Sequence, residues 1–494
     1  MEQPNFVFIM TDTQGADVVG CYGQDGVQTN NLGRLASQGA RFERAYTTCP
    51  LCTPARGGIF TGLTPSVNGA HTNNMAPGRN IRTMGHYFRR LGYRTAYIGK
   101  WHLDGLDYFD SGICPEEWEE EYWFDGRRYL SELTDEQTAL WRQGLKSIEA
   151  LRENNIGPDF TWAHRSGDRA IQFLENVEDN PFLLVVSYDE PHGPHTCPAE
   201  YVEQFEDFAK PIGPPAHDTL ENKPAHQKEW AERVGRDPEQ ESYRNPLYFG
   251  CNSFVDDEIG RILNAIDRLA PENTYVIYTS DHGSMQGAHR LDSKGPVMYE
   301  EITHIPLIIR CPEAEDEHVI RSPVSHLDLL PTMLDIAGEE IPPLLQGKSL
   351  LPELHGQKSE TTAAERNIMI EFTRYAINHD GWGGYQPVRS LVKGKYKLVL
   401  NLLHTDELYD LEKDPDELEN LIDDPGSEDL RRRLHEELLA EMDRLRDPFR
   451  GPCWERQPWC DTRNKKWQGP RRPRPCSLFE PISYDYGTGR PHDG

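Results

Sequence analysis

The chain has 494 residues, with 81 Asp and Glu against 52 Lys and Arg, a formal net charge of −29 at pH 7 with histidine neutral. Attraction to phosphate backbones or anionic lipid needs a basic surface, so nucleic acid and membrane are excluded as general partners. Hydrophobic residues make up 37%, enough for a sizeable core and against wholesale disorder.

No apolar run approaches the ~20 residues of a membrane span. The amino terminus Met1-Glu2-Gln3-Pro4 enters a strand-like run without a basic region or cleavage site, which gives the expectation of a cytoplasmic protein. Ten scattered cysteines are too sparse for a disulfide scaffold and read as reduced, buried residues.

In chain order, short β-branched runs alternate with segments of helical period. Residues 5–10, 94–99, 181–188, 274–279 and 305–309 read as strands buried on both faces. The clearest helix carries Phe254, Val255, Ile259, Ile262, Leu263 and Ile266 at spacings of three and four. This alternation predicts an α/β fold over residues 1–365, a large, mostly parallel sheet sandwiched by helices.

Over 366–450, strand-like runs at 367–372, 388–392 and 396–400 precede a helix around 428–445, which predicts a smaller antiparallel α+β subdomain. Residues 451–494 have eight Lys and Arg, five Asp and Glu and seven prolines, a composition typical of a disordered tail. Trp454, Trp459, Trp467, Phe479, Tyr484 and Tyr486 are too many large rings for a solvated segment. An extended arm packed on the body or on a neighbouring subunit is therefore expected.

Chemistry-bearing residues gather where predicted strands end, the usual ligand edge of an open α/β sheet. Asp12 closes the first strand, Lys100 and His102 a second, and Asp281 and His282 a fourth, while His192 and His195 follow the third. Two carboxylates and an imidazole suit Mg²⁺ or Mn²⁺ and do not exclude Ca²⁺. Cys49 and Cys52 form a C-x-x-C pair, but no second pair completes a zinc site, and a redox site needs its own fold. Pro54 instead marks a helix first turn, which sets Cys52 at or just before the helix start. Free N–H groups there favour an anion, and Arg56 lies one turn onward.

Cys52-Thr-Pro-Ala-Arg56, followed by Gly57-Gly-Ile-Phe-Thr-Gly62, resembles the signature of the type I, formylglycine-dependent sulfatases of the alkaline phosphatase superfamily. Asp12, Gly99-Lys-Trp-His-Leu103, Pro191-His192, Asp281-His-Gly283 and Lys294 follow in the family's order, and 407–421 is similar to its carboxy-terminal part. The likeness is greatest to signal-less cytoplasmic bacterial sulfatases.

The resemblance implies that a formylglycine-generating or anaerobic maturating enzyme oxidises Cys52 to formylglycine. One hydroxyl of its hydrate attacks the ester sulfur; the other, deprotonated by His102, lets the adduct collapse to aldehyde and sulfate. Arg56 and Lys100 hold the hydrate and the anion, His192 serves the leaving oxygen and Lys294 neutralises a sulfuryl oxygen. Asp12, Asp281, His282 and residue 52 hold one divalent ion, Ca²⁺ by family, with Mg²⁺ and Mn²⁺ as alternatives.

Many members carry a second Asp beside the first, whereas Thr13 and Gln14 follow Asp12 here, so Thr13, Gln14 or water is expected to fill that ligand position. His71, Asn74, His195, His289 and Arg290, with Asn73 and Asp104, flank the motifs as pocket candidates, and Gly381-Trp382-Gly383-Gly384 could stack on a sugar ring. The expected substrate is a small-molecule or oligosaccharide sulfate ester, and homo-oligomers are left open. The rivals are a phosphonate monoester or phosphodiester hydrolase, disfavoured by Lys100-x-His102, and a catalytically silent anion-binding protein.

Overall fold

The computed structural model describes residues 3–24, 26–143, 145–177, 180–237, 239–312, 317–356, 366–375 and 385–459, with the backbone of 484–485 and 490–491. Seven strands build the large sheet: β1 (Asn5–Thr11), β2 (Ala40–Phe42), β3 (Arg94–Gly99), β4 (Phe182–Ser187), β5 (Thr274–Ser280), β6 (Leu307–Arg310) and β7 (His318–Ile320). Their order is β7-β2-β6-β5-β1-β4-β3, and β3, β4, β1 and β5 run parallel. Only β6 runs antiparallel to its neighbours.

The pleat sends alternate residues to opposite faces, and both faces are covered. Val7 and Ile9 of β1, with Leu184 and Val186 of β4, pack on one side among residues of α1 (Asn30–Ser37), α3 (Trp162–Asn176) and α4 (Pro246–Leu269). Phe6, Phe8 and Met10, with Leu183 and Val185, pack on the other among residues of α2 (Cys52–Thr61) and α5 (Leu329–Ile336). Each such side chain removed from water contributes about 1.5–3 kcal/mol.

The run expected as one strand at 305–309 is broken by Pro306, which has no N–H for a ladder. Its halves serve different sheets: His304–Ile305 pairs with Ala45–Tyr46, and Leu307–Arg310 joins the large sheet. The helix expected from Phe254 onward begins earlier, at Pro246, where the Asn245 side chain accepts the Tyr248 N–H as an N-cap.

A second, antiparallel sheet follows as a meander of β8 (Asn367–Arg374), β9 (Tyr385–Lys393), β10 (Tyr396–Asn401) and β11 (Glu407–Asp410). Met369, Leu391 and Leu398 pack one of its faces against Leu434, Leu438 and Met442 of α6 (Glu428–Arg444). The other face, with Ile368, Ile370 and Val388, packs against Cys49 and Leu51, just before α2. The Glu371 N–H also donates to Thr48 O at 3.0 Å, so the small sheet braces that loop through its backbone.

Trp454 is fully buried beneath α6, and the Trp459 indole N–H donates to Asp406. The Gly381–Gly384 stretch and the arm beyond Trp459, apart from two short backbone pieces, lie outside the described residues. Among those described, no helix is long and apolar enough to cross a membrane.

Arg389 is 1% exposed and pairs with Asp447 at 2.6 Å and Glu371 at 3.4 Å, while Glu371 also receives the Ser66 backbone N–H and hydroxyl. Removing the cation strands two buried carboxylates. Arg389→Met is therefore expected to destabilise the fold by about 3–5 kcal/mol, read as a lower urea midpoint with unchanged slope.

Candidate active site

Parallel strands end on the same edge of a sheet, so the loops after β1, β3, β4 and β5 meet there. They bring Asp12, Lys100, Asp189 and Asp281 together. Cys52 arrives from the opposite direction, as the first residue of α2, after Leu51 in extended conformation (φ −158°, ψ 139°). The Asn73 side chain accepts the Thr53 N–H at 3.0 Å, satisfying an orphan donor of the first turn, and Pro54 has none to satisfy. Gly58 follows from packing: a Cβ there would lie 2.4 Å from Thr48 Oγ1.

The Cys52 sulfur accepts from Lys294 Nζ at 2.7 Å, lies 3.3 Å from His282 Nε2 and donates to Asp12 Oδ1 at 3.6 Å. Arg56 spans the two carboxylates, with Nη2 3.0 Å from Asp12 and Nε 3.2 Å from Asp281, and its Nη1 donates to Lys100 O and Ser187 Oγ. Lys100 Nζ pairs with Asp12 at 2.8 Å and Asp189 at 3.0 Å. Cys52, Asp12, Arg56, Lys100, Asp281 and His282 are all at most 1% exposed.

Burial opposes ionisation of Asp12, but Lys100, His192, Lys294 and Arg56 outweigh it and hold its carboxyl well below the usual range. Burial and the Asp12 charge push Asp281 the other way. Burial and Lys294 drive His282 down to about 3, so its ring is neutral. Its Nδ1–H donates to Gly283 O at 2.8 Å, which leaves Nε2 bare and facing the sulfur. Burial and Asp12 push the Cys52 thiol up to about 11.

Asp12, Cys52, Asp281 and His282 each offer one donor atom, all within 4.8 Å of one another. Two carboxylates and a bare imidazole nitrogen fit a hard divalent cation. Of the candidates to extend this set, the Thr13 hydroxyl donates to Asp12 Oδ1 at 2.7 Å. Gln14 is committed elsewhere, its Oε1 accepting from Tyr278 and Thr11 and its Nε2 donating to Asn252.

The remaining candidates divide. His102 Nε2 meets Asn74 Oδ1 at 3.0 Å, and Asp110 holds the backbone N–H groups of Trp101 and His102. His192 is half-buried, with Nδ1 2.7 Å from Gly193 O. His195 Nδ1 meets Pro191 O at 2.6 Å. His289 is turned into the interior, Nδ1 2.6 Å from Asp218 and its ring stacked on Tyr299 at 3.7 Å. His71 packs edge-on to Phe449, and the half-buried Arg290 has no partner for its Nε. Asp104 receives the Leu106 N–H.

Four residues of this region escaped sequence reasoning: Tyr108, Asp110, Ser187 and Asp189. Asp189 carried a signal that could have found it, an acid just past a strand exit. Tyr108 did not, because its partners lie 81 and 84 residues away.

An α/β sheet with buried carboxylates, cations and a helix-seated cysteine at its strand exits is an arrangement suited to anionic esters. The Sulfatase family model matches residues 4–339, and the model described as N-sulphoglucosamine sulphohydrolase, C-terminal, matches 287–444. The chain is 52% identical over 497 residues to the uncharacterized sulfatase YidJ of Escherichia coli K12, covering 100% of this chain and 98% of that protein.

Among solved structures, a protein in complex with its substrate D-glucosamine-2-N,6-O-disulfate has a TM-score of 0.72 at 22% identity, over 90% of this chain and 99% of that one. Phosphonate monoester hydrolase of Agrobacterium radiobacter has a TM-score of 0.69 at 22% identity, over 90% and 96%. Likeness at that identity speaks to the fold alone. The chain belongs to the sulfatase family and is a sulfuric ester hydrolase.

A cation that binds the folded state only should stabilise it. Ca²⁺, Mg²⁺ or Mn²⁺ at about a hundred times its Kd is expected to add about 2.7 kcal/mol, seen as a raised thermal midpoint that a chelator reverses. Asp281→Asn should remove most of that response; an identical response in the variant would exclude this donor set.

Proposed function

We propose that the enzyme hydrolyses the sulfate ester of a sugar or small alcohol, using residue 52 as formylglycine and one divalent ion. The observation that carries the reading is the Cys52 sulfur at the first residue of α2, in contact with Lys294, His282 and Asp12 at once. The sugar preference follows the relatives named as an N-acetylglucosamine-6-O-sulfatase and an ulvan-active sulfatase, 27% and 26% identical to this chain. Residues 1–365 form the catalytic unit in this reading, and 366–450 the subdomain that braces it.

Asp12, Asp281 and His282 would hold the ion beside residue 52, where it supplies Lewis acidity and an anchor for an anionic oxygen. The modified residue supplies a geminal diol, whose second hydroxyl allows sulfate to leave without water attacking sulfur. Arg56 fixes both carboxylates in register. Lys100 and Lys294 bind sulfuryl oxygens, a role suited to ammonium groups that burial has already stripped of water. His102, its ring held by Asn74, takes the proton of the second hydroxyl through Nδ1, which has no other partner. His192, half-buried, gives the proton to the departing alcohol oxygen.

A second reading, the cleavage of phosphonate monoesters or phosphodiesters, belongs to a protein that shares this fold. Turnover of 4-nitrophenyl sulfate against bis-4-nitrophenyl phosphate separates the two, and sulfate is expected to be preferred. Peptide mass spectrometry across residue 52 is expected to find the aldehyde in protein from a maturation-competent host. Cys52→Ala should abolish turnover with little change in thermal midpoint; a variant that kept wild-type rates would remove residue 52 as nucleophile, and an unmodified cysteine would support a silent anion-binding protein.

A further inference from the structure

Tyr108 joins two groups given separate tasks above. Its ring centroid lies 4.0 Å from Lys100 Nζ, its hydroxyl donates to Asp189 Oδ1, and the same oxygen lies 3.1 Å from His192 Nδ1. Its ring also faces both imidazoles, at 5.1 Å from His192 and 6.1 Å from His102. Asp189, 4% exposed, shares Oδ1 between the phenol and Lys100.

The hydrogen-bond directions follow from what each atom can do. Gly193 O, 2.7 Å from His192 Nδ1, can only accept. The phenol proton goes to the carboxylate, so the phenol oxygen also turns a lone pair toward Nδ1. Both neighbours of Nδ1 are acceptors, which fixes a proton on that nitrogen and leaves Nε2 as the nitrogen that exchanges one. The result is a carboxylate–phenol–imidazole chain, in which the negative charge of Asp189 reaches the ring through Tyr108.

We infer that Tyr108, backed by Asp189, is a positioning residue for the leaving-group acid: it holds His192 in one orientation with Nδ1 protonated, so that the proton taken up at Nε2 is the one delivered to the ester oxygen. The inference rests on the reading of His192 given above. In the step concerned, an oxygen of the residue 52 hydrate bonds to sulfur as the S–O bond to the alcohol breaks, the bridging oxygen takes that bond's electron pair, and the Nε2 proton of the imidazolium moves to it. The Nδ1 proton stays in place: Nε2 takes a proton from solvent to form the imidazolium before the step, and the ring returns to its neutral Nδ1–H form after it. Because the Tyr108 ring also covers Lys100, one side chain keeps the sulfate-binding cation and the leaving-group acid at a fixed separation.

General-acid assistance matters most for poor leaving groups, so the test is a series of aryl sulfates from 4-nitrophenyl to phenyl sulfate, with kcat/KM compared for wild type, Tyr108→Phe and His192→Ala. Tyr108→Phe keeps the ring over Lys100 and is expected to turn over 4-nitrophenyl sulfate within about threefold of wild type, while phenyl sulfate turnover falls about tenfold or more, part of the 10²–10⁴ a general acid supplies. His192→Ala should steepen the same dependence further. If His192→Ala steepens it and Tyr108→Phe runs parallel to wild type, the role of Tyr108 is overturned while that of His192 stands. If neither changes the slope, the reading of His192 fails and the inference with it. Asp189→Asn serves where Tyr108→Phe does not fold: losing its pairing with Lys100 lowers all substrates alike, so a steeper slope supports the chain and a parallel one overturns it.

Discussion

The constraint on which the site depends is electrostatic: Asp12 and Asp281 sit side by side with no water to solvate them. Neither is exposed, and both face Cys52 and His282. Two carboxylates this close cannot both ionise unaided. Arg56 answers with a planar fork that touches one oxygen of each, and Lys100 adds a second cation on Asp12. The C-x-P-x-R signature is thus two devices on one helix. Its cysteine sets a sulfur against Lys294, His282 and Asp12, and its arginine, one turn later, points into the sheet edge and holds the carboxylates. Each of its contacts here goes to a carboxylate, a carbonyl or a hydroxyl.

The small sheet has a matching purpose. Its inner face packs on Cys49 and Leu51, and its edge strand bonds to Thr48. The other end of the same helix region is tied through Ser66 to Glu371, which Arg389 and Asp447 neutralise. A helix start that must hold one atom within about 0.5 Å of its productive place needs support behind it. A loop alone would leave it too free.

What could be read in advance follows from this division. Asp12, Lys100 and Asp281 were legible because parallel strands deliver their last residues to one edge, whatever the rest of the chain does. Cys52 and Arg56 were legible from local helix rules. Gln14 was not, because Thr13 adopts a left-handed backbone (φ 65°) that turns the chain, so Gln14 reaches Tyr278 and Asn252 instead of following Asp12. His289 turns inward for the same kind of reason. Left-handed residues at Gln286, His289, Arg290 and Ser293 fold its loop inward, and the segment that buries His289 on Tyr299 is the one that delivers Lys294 to the sulfur. Tyr108 depends on contacts across the whole sheet edge, which no local pattern encodes.

Charge at the site also resolves an apparent conflict between a protein of net charge −29 and an anionic substrate. Arg56, Lys100 and Lys294 face Asp12, Asp189 and Asp281, so the side chains alone come close to neutral. A divalent ion among the four donors would tip this balance by two positive charges, inside walls that exclude water and so strengthen every interaction. The three cations are not free to attract sulfate on their own, because each is already engaged with a carboxylate. A cation that took over Asp12 would weaken its hold on Lys294 and Lys100, leaving Lys100 paired with Asp189.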